Sequence, residues 1–338
     1  MPTHNHARPV RAEPTVRDSS WRPRIAGEPK KPKKKMSEEK PPLIKNAMPL
    51  KDRKYTIREL QYEELPRLAE LWKTIGFMIS GDLIDSLWKC DRAGMIAAVA
   101  EDGEVIGSCC APFVGEGMAK LWLHGLQQQY RNQGLGTQLA DRAMEHIGDA
   151  NAYTLCIPEH EHIYLNKYQF NVSSRLFQIL GPAVPRLTGV ITSLPGVRVM
   201  ESERGVRELL LEYDTDIVGF NRTALLDRML KEKNTMLRIA LREDNQIGGY
   251  GFISEGLHGA AIVRHLSADS IDIAELLLGR LFRDCPAVAS KGVWAVGCIQ
   301  SYESHSFFKK FNLKSIHEMK LLRRRGVDND MSRVYVFY

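Results

Sequence analysis

The segment Lys120-Leu-Trp-Leu-His-Gly-Leu126, continued by Gln127-Gln-Gln-Tyr-Arg131-Asn-Gln-Gly134-Leu-Gly136-Thr137, gathers the residue types best suited to chemistry. An apolar run ends there, an Arg-x-x-Gly-x-Gly turn follows, and residues 138–147 continue with helical periodicity. A strand-to-helix turn of this kind aims several unpaired backbone N–H groups and the positive end of a helix dipole at one spot, which suits a pyrophosphate and needs no metal. Gly134 and Gly136 let the backbone approach phosphates closely and adopt conformations that a Cβ forbids. The spacing is not that of a Walker A loop, which ends in Gly-Lys-Ser/Thr, and it lacks the third glycine of a dinucleotide fingerprint. An ordinary glycine turn before a helix carries the same local signature, so the surrounding elements must decide between the two.

Those elements repeat. At an offset of 142 residues, Ile57, Glu59, Leu68 and Glu70 recur as Val199, Glu201, Leu210 and Glu212, while Glu101, Asp102, Val105 and Gly107 recur as Glu243, Asp244, Ile247 and Gly249. Each half reads as a strand (55–60; 197–201), an amphipathic helix (63–74; 205–214) and a hairpin turning at Glu101-Asp102-Gly103 or Glu243-Asp244-Asn245. Residues 181–196, with three prolines and few charges, read as the linker. The expected organisation is a tail over 1–54, one domain over 55–180 and a second over 197–338.

The string Gln129-Tyr-Arg131-Asn-Gln-Gly134-Leu-Gly136-Thr137-Gln-Leu139 resembles the acetyl-CoA loop of the GNAT acetyltransferase superfamily. The resemblance covers residues 55–180 in order, through a strand at 152–157 and a last helix into 163–170. It implies a mixed α/β acyl-CoA N-acyltransferase fold, with acetyl-CoA as co-substrate and a primary amine, small molecule or peptide, as acceptor. Arg131, Asn132, Gln133, Gly134, Leu135, Gly136 and Thr137 would then hold acetyl-CoA, and the Leu126 N–H would meet the thioester carbonyl. Strand alternation puts Lys120, Trp122, His124 and Leu126 on one face, making His124 the candidate base. Tyr164 is the candidate acid, although Leu165 stands where such proteins often place tyrosine and Gln169 where they place glycine.

The second half resembles a GNAT-like C-terminal domain of two-domain animal proteins, through Asp216-Ile-Val-Gly219-Phe-Asn-Arg222, Gly248-Gly-Tyr-Gly-Phe252 and Phe307-Phe-Lys-Lys-Phe-Asn-Leu313. At the repeat offset Arg131, Gly134 and Gly136 correspond to Ile273, Leu276 and Leu278, and Asp269 and Asp272 add negative charge. A degenerate copy that binds no CoA is expected. Trp72, Phe77 and Trp88 are candidates to line the acceptor cleft, and Arg222 to pair with a buried acid or an acceptor carboxylate.

Charge and composition narrow the alternatives. The 338 residues are 43% hydrophobic and 26% charged, an ordinary globular balance. The net charge of +6 divides unevenly: residues 1–54 hold 15 Lys/Arg against 6 Asp/Glu, and the rest hold 32 against 35. A mildly acidic folded part argues against direct nucleic-acid binding. The tail, with 9 of the 16 prolines and the Lys30–Lys35 cluster, is expected to be disordered, and Met36 is an alternative start. The six cysteines show no metal-ligand spacing, so free thiols, no metal and a reducing compartment are expected, cytoplasmic or, through the lysine cluster, nuclear. No apolar run reaches the ~20 residues that cross a bilayer. The alternative to an enzyme is a non-catalytic acyl-CoA-binding or protein-interaction module on the same fold.

Overall fold

In a computed structural model, residues 49–299, 301–326 and 331–337 are described. Most of the expected tail, with its lysine cluster, lies outside them. The first half runs β1 (Tyr55–Glu59), α1 (Leu65–Thr74), α2 (Gly81–Cys90), β2 (Ile96–Ala100), β3 (Val105–Cys110), β4 (Phe113–Gly115), β5 (Met118–Lys120), β6 (Trp122–Leu126), α3 (Leu135–Ile147), β7 (Asn151–Cys156), α4 (Glu161–Tyr168) and β8 (Asn171–Ala183). The second runs β9 (Val197–Met200), α5 (Arg207–Val218), α6 (Thr223–Met229), β10 (Thr235–Arg242), β11 (Ile247–Glu255), β12 (Ala261–Ala268), α7 (Ile271–Asp284), α8 (Pro286–Lys291), β13 (Val293–Cys298), α9 (Tyr302–Lys310), β14 (Ser315–Arg324) and β15 (Val334–Phe337).

Local chemistry sets the elements. In α1, Leu65, Leu68, Leu71 and Trp72 recur at helical spacing and form its buried stripe. The helix α2 begins where the Ser80 hydroxyl accepts from the Leu83 N–H at 3.3 Å. The run 96–100, Ile-Ala-Ala-Val-Ala, is buried on both faces and pairs on both edges, with β1 and β3.

Two sheets result. One has the order β1-β2-β3-β6; the other runs β4-β5-β7-β14-β8-β13-β15-β12-β11-β10-β9. The central strand of the first half therefore divides. Its start, β5, pairs in parallel with β7 from Met118↔Asn151 to Lys120↔Tyr153, whereas its continuation β6 pairs with β3. The Leu121 N–H bond to the Tyr153 carbonyl, 2.9 Å, is the last rung, and beyond it β6 and β7 part.

The halves do not separate at the expected linker. β8 continues to Ala183, past residue 181, and pairs with β13 of the second half. β14 inserts between β7 and β8, with Leu321↔Leu155 on one side and Met319↔Phe177 on the other. One apolar core joins Leu68, Trp72, Leu87 and Trp122 to Leu210, Leu226, Phe252 and Phe337.

The repeat survives in the second half, with one change. β12 pairs in parallel with β13 only over Ala261–Val263, so a gap would open there too, but β15 fills it through Leu266↔Val336 and Gly297↔Val336. The loop after the strand is not mutated in place, as the constant offset implied, but shortened. Eight residues separate β6 from α3, and two separate β12 from α7. Ile273, Leu276 and Leu278 are consequently buried residues of α7 rather than replacements for a loop.

Candidate active site

The open gap between β6 and β7 is bordered by the loop that the sequence singles out. Gln127 N–H donates to the Ile106 carbonyl at 3.1 Å. By antiparallel alternation the backbone of Leu126, paired opposite Gly107, then turns its N–H and C=O away from β3 and into the gap. The Arg131 Nε–H takes that carbonyl at 3.2 Å, leaving the N–H for a ligand oxygen.

The loop is shaped from inside. The Gln133 side chain accepts from the Leu50 N–H at 2.8 Å and donates to the Gln129 carbonyl at 2.8 Å. Asn132 and Gly134 take positive φ, 61° and 83°. The first helical bond of α3 is Gln138 N–H to Gly134 C=O. Among the described residues the backbone N–H groups of 132–137 donate to no protein atom, which leaves a cluster of donors at the start of a 13-residue helix. A Cβ on Gly134 would meet nothing within 4 Å, so the space beside that residue is open.

His124 and Tyr164 meet under this loop. Tyr164 Oη lies 3.2 Å from His124 Nδ1, and His124 Nε2 lies 3.0 Å from the Gly136 carbonyl. The carbonyl can only accept, so Nε2 carries the hydrogen and Nδ1 takes the tyrosine proton. Burial lowers the His124 pKa, against the raising effect of the Gly136 bond, and the ring is neutral. Burial likewise raises the Tyr164 pKa far above its ordinary value, with smaller contributions from Cys109 and Cys156, so its hydroxyl keeps its proton.

The helix carrying Tyr164 begins at Glu161, two residues before the expected start, and this turns Tyr164 inward. Gln169 caps that helix in the left-handed conformation, φ 58°, where glycine is the usual occupant. Tyr168, the other tyrosine of the segment, donates to Asp141 at 2.8 Å and is held on α3.

Strand alternation misplaces half of the predicted face. Leu123 has φ 49°, and this irregularity reverses the phase of the strand. His124 and Leu126 point toward α3. Lys120 lies on the opposite side with its ammonium 4.0 Å from the Trp122 ring, in the core shared with the second half. Trp72 is core as well, donating to Ser108 Oγ at 3.2 Å, and Trp88 donates to the Leu60 carbonyl at 3.0 Å. Arg222 pairs with a buried acid: its Nε and Nη2 donate to the two oxygens of Asp214 at 2.8 and 2.7 Å. Sequence reasoning did not find Arg264, buried on β12, whose ion pair with Glu232 joins residues far apart in the chain.

Where the second half would need its own anion site, it carries a carboxylate. Asp269 accepts from Tyr213 Oη at 3.0 Å, Arg242 Nη1 at 2.9 Å and Arg333 Nη1 at 3.2 Å. All six cysteines are free, and burial raises the Cys110 and Cys156 thiols to about 12. Among the described residues no group of three His, Cys, Asp or Glu side chains is arranged to hold a metal, and no helix is long and apolar enough to cross a membrane.

Residues 56–163 match the acetyltransferase (GNAT) family. The molecule has the GNAT fold. No curated protein matches the chain by sequence. Among solved structures, a putative acetyltransferase from Pyrococcus horikoshii is similar with a TM-score of 0.64 at 17% identity, over 84% of this chain and 94% of that one. A tandem GNAT protein from the clavulanic acid biosynthesis pathway gives 0.56 at 13% identity, over 80% and 98% of the two chains. A GCN5-related N-acetyltransferase from Sphaerobacter thermophilus gives 0.51 at 17% identity, over 81% and 98%. Each similarity spans both halves, so the arrangement of the second half belongs to the shared GNAT architecture.

Proposed function

We propose that residues 55–180 form an acetyl-CoA-dependent N-acetyltransferase acting on a primary amine, and that the second half is a degenerate GNAT-like domain that binds no CoA. The observation that carries this reading is the open gap between β6 and β7, edged by the free N–H groups of 132–137 and underlain by the His124–Tyr164 pair. The loop N–H groups would take the pyrophosphate, and the Leu126 N–H would meet the thioester oxygen. A donor fixed in advance toward that developing oxyanion is worth about 3 kcal/mol. The closed second gap and the Asp269 carboxylate support the lack of CoA binding there.

The hydrogen-bond polarity of the pair suggests one proton path for both transfers. The amine nitrogen attacks the carbonyl carbon, and its surplus proton passes to Tyr164 Oη as the tyrosine proton moves to His124 Nδ1. When the C–S bond breaks, the same path runs backward: Nδ1 returns its proton to Oη, and the hydroxyl proton goes to the departing sulfur. The net movement is one proton from nitrogen to sulfur, and His124 acts as base through Tyr164 rather than on the amine directly.

Calorimetric titration of acetyl-CoA into the full chain tests the reading. Single-site binding of micromolar order, about −8 kcal/mol, is expected. Gly134→Asp puts a carboxylate into the open space beside the loop and should abolish binding while the fold persists. A folded protein that binds no acetyl-CoA would leave the non-catalytic interaction module as the function.

A further inference from the structure

The helix α4, which carries Tyr164, is eight residues long. A helix that short is not stable by itself, so its place is set by what its side chains grip. At its C-terminal end Lys167 and Tyr168 both bind Asp141 of α3, at 2.6 and 2.8 Å. At its N-terminal end the grip comes from the other half of the chain. Glu161, in the first turn, accepts from Lys320 Nζ of β14 at 2.6 Å, across 159 positions of sequence. The pair is partly sheltered, with the lysine side chain 31% exposed and the carboxylate 18%. Sheet register delivers Lys320 to this spot. It stands opposite Cys156, the last residue of β7, and α4 starts five residues further on.

Glu161 and Tyr164 are neighbours on the helix surface, at i and i+3, so what holds one sets the other. Tyr164 Oη is 3.2 Å from His124 Nδ1, at the upper limit of hydrogen-bond length. A helix tied only at Asp141 is free to pivot there. A misplacement of about 1 Å at Tyr164 would break the bond to His124, and errors of that size cost on the order of 100-fold in rate.

We propose that Lys320 is a positioning residue for the proton path: by holding Glu161 it fixes the first turn of α4 and keeps Tyr164 in hydrogen-bond contact with His124. Through this contact the second half serves the chemistry of the first. Its service to a reaction rests on the acetyltransferase reading; the contact itself does not.

Two readouts on the full chain test it. Nitrogen NMR of histidine-labelled protein reports whether His124 Nδ1 accepts a hydrogen bond, with Tyr164→Phe as the reference for its loss. Lys320→Met should move the Nδ1 resonance toward that reference, and Lys320→Arg, which can still donate to Glu161, should return it. Turnover is measured with acetyl-CoA and the best acceptor from a panel of primary amines. Lys320→Met should lower kcat about 10-fold with acetyl-CoA affinity unchanged, recover in Lys320→Arg, and cost nothing further when Tyr164 is already phenylalanine. Melting temperature should fall little, because a partly exposed ion pair contributes little to stability. An unmoved Nδ1 resonance, or a loss of kcat that persists in Lys320→Arg or adds to that of Tyr164→Phe, would overturn the proposal while the acetyltransferase stands. If Lys320→Met does not fold, Glu161→Gln removes the same ion pair from the other side and gives the same readouts. If acetyl-CoA does not bind or no amine is acetylated, the enzyme reading falls and the NMR decides alone: a resonance moved by Lys320→Met and restored by Lys320→Arg keeps the positioning of Tyr164, and an unmoved one removes it.

Discussion

A leucine with φ 49° inside a strand is unfavourable by about 1–2 kcal/mol relative to extended backbone, and Leu123 holds that conformation with its side chain fully packed. The return is a reversal of face that delivers His124 to Tyr164. If the pair works as one proton path, its members are not independent. Tyr164→Phe should lower kcat about 100-fold, at the lower end for a lost acid–base group, with acetyl-CoA affinity unchanged. His124→Ala should lower it similarly, and the double variant no further. Stopped-flow measurement of the four proteins checks this, and additive losses would mean that the two residues act separately. A second histidine governs stability. His265, stacked on Tyr250 at 4.8 Å and bonded to Ser267 at 2.7 Å, is held neutral by burial and Arg222, with its pKa lowered to about 3. The unfolded chain takes up a proton near pH 6.5 and the folded chain does not. The stability is therefore whole above pH 6.5 and declines as pH falls toward 3, by about 1.4 kcal/mol per pH unit for one proton. His265→Gln should flatten that slope in urea melts between pH 6 and 4, where an unchanged slope would assign it to other groups.

At the scale of elements, the loop is the part whose shape depends on side chains that touch no ligand. Gln133 ties it to Leu50 and Gln129. Gln133→Ala should weaken acetyl-CoA binding about 2- to 10-fold by calorimetry, as for one or two neutral hydrogen bonds, with little loss of melting temperature. Much of this region was legible in the sequence because the signals are local: glycines at fixed spacing, an apolar run before them, a 3.6-residue period after. The strand at 55, the first helix and both hairpins follow from the same kind of signal. Three features were not legible. Alternation assumes an unbroken strand, and nothing in Leu123-His124 announces a left-handed residue. A constant repeat offset hides a deletion, so the missing loop before α7 looked like a substituted one. Gln169 takes a glycine's conformation without being glycine.

For the whole molecule, long-range strand pairing decides what can fold alone. β14 supplies the strand between β7 and β8, and the first half without it would have an unpaired gap in its sheet beside the candidate site. Such pairing joins residues more than 130 positions apart, and local periodicity carries no trace of it. Residues 46–196 alone should therefore fail to give a cooperative melt or bind acetyl-CoA, and adding residues 197–338 should restore both. The shorter strand β15 makes a finer test of the same idea. Ending the chain after Gly326 removes Val334, Val336 and Phe337, all buried, and each contributes about 1.5–3 kcal/mol by burial. Their sum is comparable to the whole margin of a typical domain, about 5–15 kcal/mol. The truncated chain should melt at much lower temperature or not fold. If instead it melts normally and takes up a second acetyl-CoA, β15 is a plug over a second working site, and the second half is not degenerate.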